Sequence, residues 1–60
     1  MNRITLNNSY YYLSQEIYGW LKYYTPSAQW DQTFGTTIID FDTEDQLEQF
    51  KTFIKALRNE

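Results

Sequence analysis

The chain contains no cysteine and no histidine. Disulfide staples, thiol nucleophiles, imidazole relays and zinc sites built on sulfur or imidazole are therefore excluded. Glycine occurs twice and proline once, so the chain has no flexible linker and no low-complexity tract. Basic residues are few, five against eight acids, for a net charge of −3. Binding along a phosphate backbone needs a basic stripe, so no direct nucleic-acid partner is expected. No apolar run approaches the roughly 18 residues of a membrane span. The opening Met1-Asn2-Arg3-Ile4-Thr5-Leu6 lacks the hydrophobic region of a signal peptide. With no thiol to oxidise, the expected setting is the cytoplasm, with no membrane partner.

What is present is aromatic. Aromatic residues make up 20% of the 60-residue chain, and all six tyrosines fall between Tyr10 and Tyr24. A chain this short forms one domain and buries only roughly 60% of its unfolded surface. A core that small cannot hide every ring, so some tyrosines are expected at the surface.

The pattern along the chain predicts β-α-β-β-α. Arg3-Ile4-Thr5-Leu6 alternates polar and apolar, as a strand with Ile4 and Leu6 inward. Ser9 can cap a helix over residues 10–24. Leu13, Ile17, Trp20, Leu21 and Tyr24 would share its core face with Tyr10, and Pro26 ends it. Residues 29–34 and 37–42 predict a hairpin around Gly35-Thr36, as a type II′ turn. That register pairs Gln32 with Ile39 and Trp30 with Phe41. One face then carries Trp30, Phe34, Ile39 and Phe41, and the other Gln29, Asp31, Thr33, Ile38, Asp40 and Asp42. Thr43 and Gln46 form a capping box ahead of a second helix that runs to about Arg58, with Leu47, Phe50, Ile54 and Leu57 inward. The expected fold is α+β. Three strands carry two helices on one face, as in a ferredoxin-like arrangement lacking its last strand. Strand one would lie beside strand three, strand two on the far edge, and the missing strand would leave an edge open to a second chain.

Two surfaces are candidates for function. On the tyrosine helix, Tyr12, Glu16, Gly19 and Tyr23 line one outer flank, and Tyr11, Tyr18 and Lys22 the other. Tyrosine supplies contact area at low entropic cost. Mid-helix glycine costs about 1 kcal/mol relative to alanine, which a partner packed at Gly19 would explain. The alternative is that the rings lie flat over a thin core. The second surface is acidic: Asp31, Asp40, Asp42, Glu44, Asp45 and Glu48. The hairpin register places Asp31 across from Asp40, a destabilising like-charge pair. A cation held by Asp31, Asp40 and Asp42 would relieve it. So would docking on a basic protein, either as a decoy imitating nucleic-acid phosphates or as simple charge complementarity. The plain reading is a solvated sheet face followed by an acidic first helical turn, which the helix dipole favours. Ser9, Ser14 and Ser27 have no base to activate them, so neither enzymatic chemistry nor a cofactor is expected.

The run Leu13-Ser14-Gln15-Glu16-Ile17-Tyr18-Gly19-Trp20-Leu21, the Trp30-containing hairpin, and the exit Asp40-Phe41-Asp42-Thr43-Glu44-Asp45-Gln46-Leu47 together resemble small accessory proteins of tailed bacteriophages. The resemblance is one of overall style and assigns no residue a role. It implies a protein that binds, redirects or inhibits a host protein. The leading expectation is a non-enzymatic protein-binding module acting through the tyrosine helix, on another protein or on a second copy. An acidic decoy and a homo-oligomeric structural protein are the alternatives.

Overall fold

A computed structural model of the chain describes residues 2–58. Its elements are β1 (Arg3–Leu6), a 3-10 helix (Asn8–Leu13), α1 (Ser14–Tyr24), β2 (Gln29–Thr33), β3 (Thr36–Asp40) and α2 (Glu44–Leu57). The sheet order is β1-β3-β2, antiparallel throughout. This is the expected α+β fold: β3 lies between β1 and β2, as in a ferredoxin-like sheet without its fourth strand.

The strand triplets Ile4–Ile39–Trp30 and Leu6–Thr37–Gln32 face the helices. Ile39, Leu6 and Phe41 join Leu13, Ile17 and Leu21 from the first helical segment and Leu47, Phe50 and Ile54 from α2 in one buried cluster. Phe50 lies at its centre, fully buried and 5.3 Å from the Phe41 ring. Burying a side chain of this size contributes about 1.5–3 kcal/mol. Trp20 links α1 to α2, stacked on Phe53 at 5.2 Å and edge-on to Phe50 at 5.4 Å. Among the described residues Thr25 and Thr37 are the buried polar ones. Thr25 donates to the Leu21 carbonyl, and the Thr37 hydroxyl accepts from Gln32, so neither hydroxyl is left unpaired.

α2 forms as its sequence dictates. The Thr43 hydroxyl accepts from the Gln46 N–H at 3.2 Å, and Gln46 Oε1 accepts in return from the Asp42 N–H at 3.1 Å. This is the capping box shifted by one residue on its return arm.

Three local expectations are corrected. First, the residues before α1 are 3-10, not α. The cap is Asn7, not Ser9: the Asn7 side chain accepts from the Ser9 N–H, and the Asn7 carbonyl accepts from the Tyr10 N–H at 3.1 Å. At three residues per turn Tyr10 falls directly behind Leu13, and it packs against the core beneath the Arg58 guanidinium, 4.4 Å from its ring centroid. Tyr24, expected inward, is exposed and leans on Trp20 at 5.0 Å. Second, the hairpin turns at Phe34-Gly35, not Gly35-Thr36. Both turn residues have positive φ, 54° and 82°, which defines a type I′ turn. The register becomes Trp30 with Ile39 and Asp31 with Ile38. The shift is by an even number of positions, so strand faces survive. Phe34, placed on the core face by the sequence, instead stands 98% exposed at the tip. Third, Asp31 does not oppose Asp40. Asp40 lies between Arg3 and Gln29.

Candidate functional site

The tyrosines divide by what lies beneath them. Tyr18 rests on Trp30 of β2 at 5.2 Å. Tyr10 and Tyr24 lie on the core and on Trp20. Tyr11 and Tyr12 sit in the 3-10 segment and point away from Leu13, because at 120° per residue neither can share its face. Tyr12 is 70% exposed and Tyr23 is 78% exposed, with Tyr23 touching Tyr24 edge-on at 4.7 Å. Glu16 and Gly19 are exposed along the same outer side. A Cβ built on Gly19 meets nothing within 4 Å, so nothing within this chain calls for a glycine there. Tyr10 therefore follows the flat-lying reading, Tyr18 and Tyr24 lean on tryptophans yet remain exposed, and Tyr11, Tyr12 and Tyr23 are exposed as well.

The acidic residues are dispersed. Arg3 grips Asp40 with two bonds, Nε to Oδ1 at 2.7 Å and Nη2 to Oδ2 at 3.2 Å. The hydrogen bond from Arg3 holds the Asp40 carboxyl below its ordinary value, and the same bond raises Arg3. Asp31 accepts from the Thr33 hydroxyl, and Asp42 from the Ser27 hydroxyl. Glu48 pairs with Lys51 at 3.2 Å, while Glu44 and Asp45 occupy the first turn of α2. Among the described residues no group of three or more potential ligands is placed to hold a metal ion. The Asp31–Asp40–Asp42 cation site therefore fails on geometry: Asp31 faces Ile38 and Asp40 already has a counter-ion.

Trp30, placed by the sequence on the same strand face as Ile39 and Phe41, is only half-buried at the outer edge of the sheet, and three clefts are lined by it. One of about 360 Å³ lies between α1 and β2, lined by Tyr18, Lys22, Pro26, Ala28 and Trp30 among others. A second is lined by Ser14, Gln15, Tyr18 and Trp30. The third opens on the far side of the sheet, against Gln29, Asp31, Ile38 and the Arg3–Asp40 pair. The signal was available: strand order alone puts β2 at an edge, and an edge strand cannot cover a tryptophan on both sides.

Among the described residues no helix is long and apolar enough to cross a membrane. Set against family models, curated proteins and solved structures, the chain matches none of them.

Proposed function

We propose that this chain is a small non-enzymatic protein-binding module that grips a protein partner through the outer flank of the first helical segment. Tyr12, Glu16, Gly19 and Tyr23 form the grip, assisted by Tyr11 and Tyr18. The observation that carries the reading is the pair of projecting rings, Tyr12 and Tyr23, on the side where Gly19 leaves open space. Two large amphipathic side chains beside a bare stretch of helix backbone let a partner approach closely, and rings desolvated in this way dominate interface energies. Carboxylates already engaged by Arg3, Ser27 and Lys51 favour this flank over an acidic decoy. The module acts in the cytoplasm, and the bacteriophage-type resemblance supports a partner that is redirected or inhibited.

The test is capture from lysate of the source cell by the tagged chain, wild type beside Tyr12→Ser/Tyr23→Ser, at low and high salt. Both tyrosines are exposed, so the variant keeps its fold, which circular dichroism checks. A partner lost with the tyrosines but retained in high salt supports the reading. A partner held equally by the folded double variant refutes it, and one released by salt alone moves the site to the carboxylates.

A further inference from the structure

From the geometry of the β2 edge we infer that the chain pairs with a second copy of itself, β2 against β2, across a two-fold axis at Trp30. The inference stands apart from the Tyr12–Tyr23 flank and shares only Tyr18 with it.

The hydrogen-bond phase of the sheet fixes which groups are free. The Phe41 N–H bonds the carbonyl of Asn2 directly opposite, at 2.8 Å. In an antiparallel ladder the alternation then turns Ile39 and Thr37 toward β1, and Asp40, Ile38 and Thr36 toward β2. Their partners Gln29, Asp31 and Thr33 are consumed by β3. The N–H and C=O groups of Trp30 and Gln32 consequently point out of the sheet. Gln29–Thr33 contains no lysine, proline or bulge, and Asp31 is its single charge. The opposite edge, β1, is one residue shorter and carries Arg3, and the clefts gather at Trp30.

A docking strand must offer outward main-chain groups, a flat apolar side chain beside Trp30, and a neutral or positive neighbour for Asp31. β2 of a second copy supplies each of these, which makes the edge self-complementary, as a two-fold interface requires. Main-chain matching permits pairing only between outward residues, and within β2 the pairs of Trp30 and Gln32 leave three registers; a fourth, Ala28 against Trp30, is poorer because the Ala28 N–H is already bound to Thr25. Centring the axis on Asp31 sets two carboxylates face to face, a destabilising pair. Centring it on Gln32 carries Trp30 against Phe34, in the turn, where the ladder ends. Centring it on Trp30 sets Gln29 opposite Asp31 of the other copy, an amide donor to a carboxylate. The two Trp30 residues then exchange both main-chain bonds, and each Gln32 N–H meets an Ala28 carbonyl of the other copy. The Ala28 N–H is already bound to Thr25 and is not needed. On the helix side the two indoles lie together at the axis, each under its own Tyr18. The result is one continuous sheet in the order β1-β3-β2-β2-β3-β1.

The absence of cysteine makes the test clean. Gln29 and Asp31 are exposed, so Gln29→Cys and Asp31→Cys leave the fold intact. In the Trp30-centred register they oppose each other as a non-hydrogen-bonded pair, with Cα atoms about 4.5 Å apart, inside the range a disulfide spans. Sedimentation of the unmodified chain between about 1 μM and about 1 mM should show a monomer–dimer equilibrium. Under mild oxidation a mixture of the two single variants should form a covalent dimer, while Asp31→Cys alone and Thr5→Cys alone should not. Tyr12→Ser/Tyr23→Ser should still dimerise. A monomer throughout the range overturns the inference. So does a dimer that cross-links through Asp31→Cys alone, through Thr5→Cys on β1, or not at all in the mixture. Loss of the dimer in the Tyr12/Tyr23 variant also overturns it, by moving self-association to the outer flank.

Discussion

Replacing Phe34 by asparagine should stabilise the fold. Phe34 is the first central residue of the type I′ turn, at φ 54°, a conformation in which its Cβ crowds the following carbonyl. For an ordinary L-residue that crowding costs about 1–2 kcal/mol, whereas asparagine enters the region readily. The ring recovers none of this within the chain, because Phe34 is 98% exposed. Phe34→Asn also creates Asn-Gly, the dipeptide preferred in this turn. The gain should be about 1 kcal/mol, and for a domain of this length that raises Tm by about 4–8 °C. Urea titration and thermal melting by circular dichroism, at one fixed protein concentration, measure it. The urea midpoint should rise with an unchanged slope. The companion Gly35→Ala should act oppositely: at φ 82° an added Cβ is strained, and it would lie 2.9 Å from the Asn8 Cβ. An unchanged or lowered midpoint for Phe34→Asn would refute the reasoning, since it would mean that the ring contributes a contact its exposed position does not offer.

Gly19→Ala should add about 1 kcal/mol, since the Cβ enters open space on a helix; an unchanged urea midpoint would count against a regular α-helix at that position. If the partner needs the bare backbone there, the same variant should weaken capture while strengthening the fold. Thr43→Ala removes the acceptor for the Gln46 N–H and should cost about 1 kcal/mol, which Thr43→Ser should largely restore in the same titration. Acid sensitivity should trace in part to Asp40. Its folded value lies below the ordinary 3.8 because Arg3 donates to it, so the stability it contributes is present above the unfolded value and lost as pH falls through the folded one. Wild type should therefore lose stability more steeply than Asp40→Asn on the acid side of about pH 4; parallel acid limbs would show that the exposed pair contributes nothing.

The parts of the fold legible in the sequence were those where independent physical signals agree. α2 carries a capping box, an acidic first turn and an unbroken apolar stripe, all pointing to the same residues, and it forms where they point. The strand faces were legible even though the register was not, because turning at Phe34-Gly35 instead of Gly35-Thr36 shifts the pairing by an even step. What could not be read was a phenylalanine accepting a left-handed backbone, which sequence preference assigns to glycine or asparagine. That one residue carried the further error of an Asp31–Asp40 clash, and with it the case for a cation. The 3-10 segment was hidden for a related reason. Ser9 and Asn7 both cap well, and choosing Asn7 starts the helix early enough for three-residue turns to run through Tyr10, Tyr11 and Tyr12.

That early start decides which tyrosines project into solvent. Under α-helical spacing Tyr10 is offset by about 60° from Leu13, whereas under 3-10 spacing it eclipses Leu13. Eclipsing turns Tyr10 onto the core and leaves Tyr11 and Tyr12 to either side of it, with no second layer to cover them. At the other end of α1, Tyr23 is lifted clear because Tyr24 takes the place beside Trp20. A core that only needed shielding would accept leucine at positions 12 and 23 as readily as tyrosine. Tyr12 and Tyr23 project about three helical turns apart, with a glycine between them whose Cβ position is open, and what Tyr23 gives the domain is an edge contact with Tyr24. Under the proposed function these rings act at a partner's surface, and Tyr12→Ser/Tyr23→Ser separates that role from folding because neither ring belongs to the buried cluster.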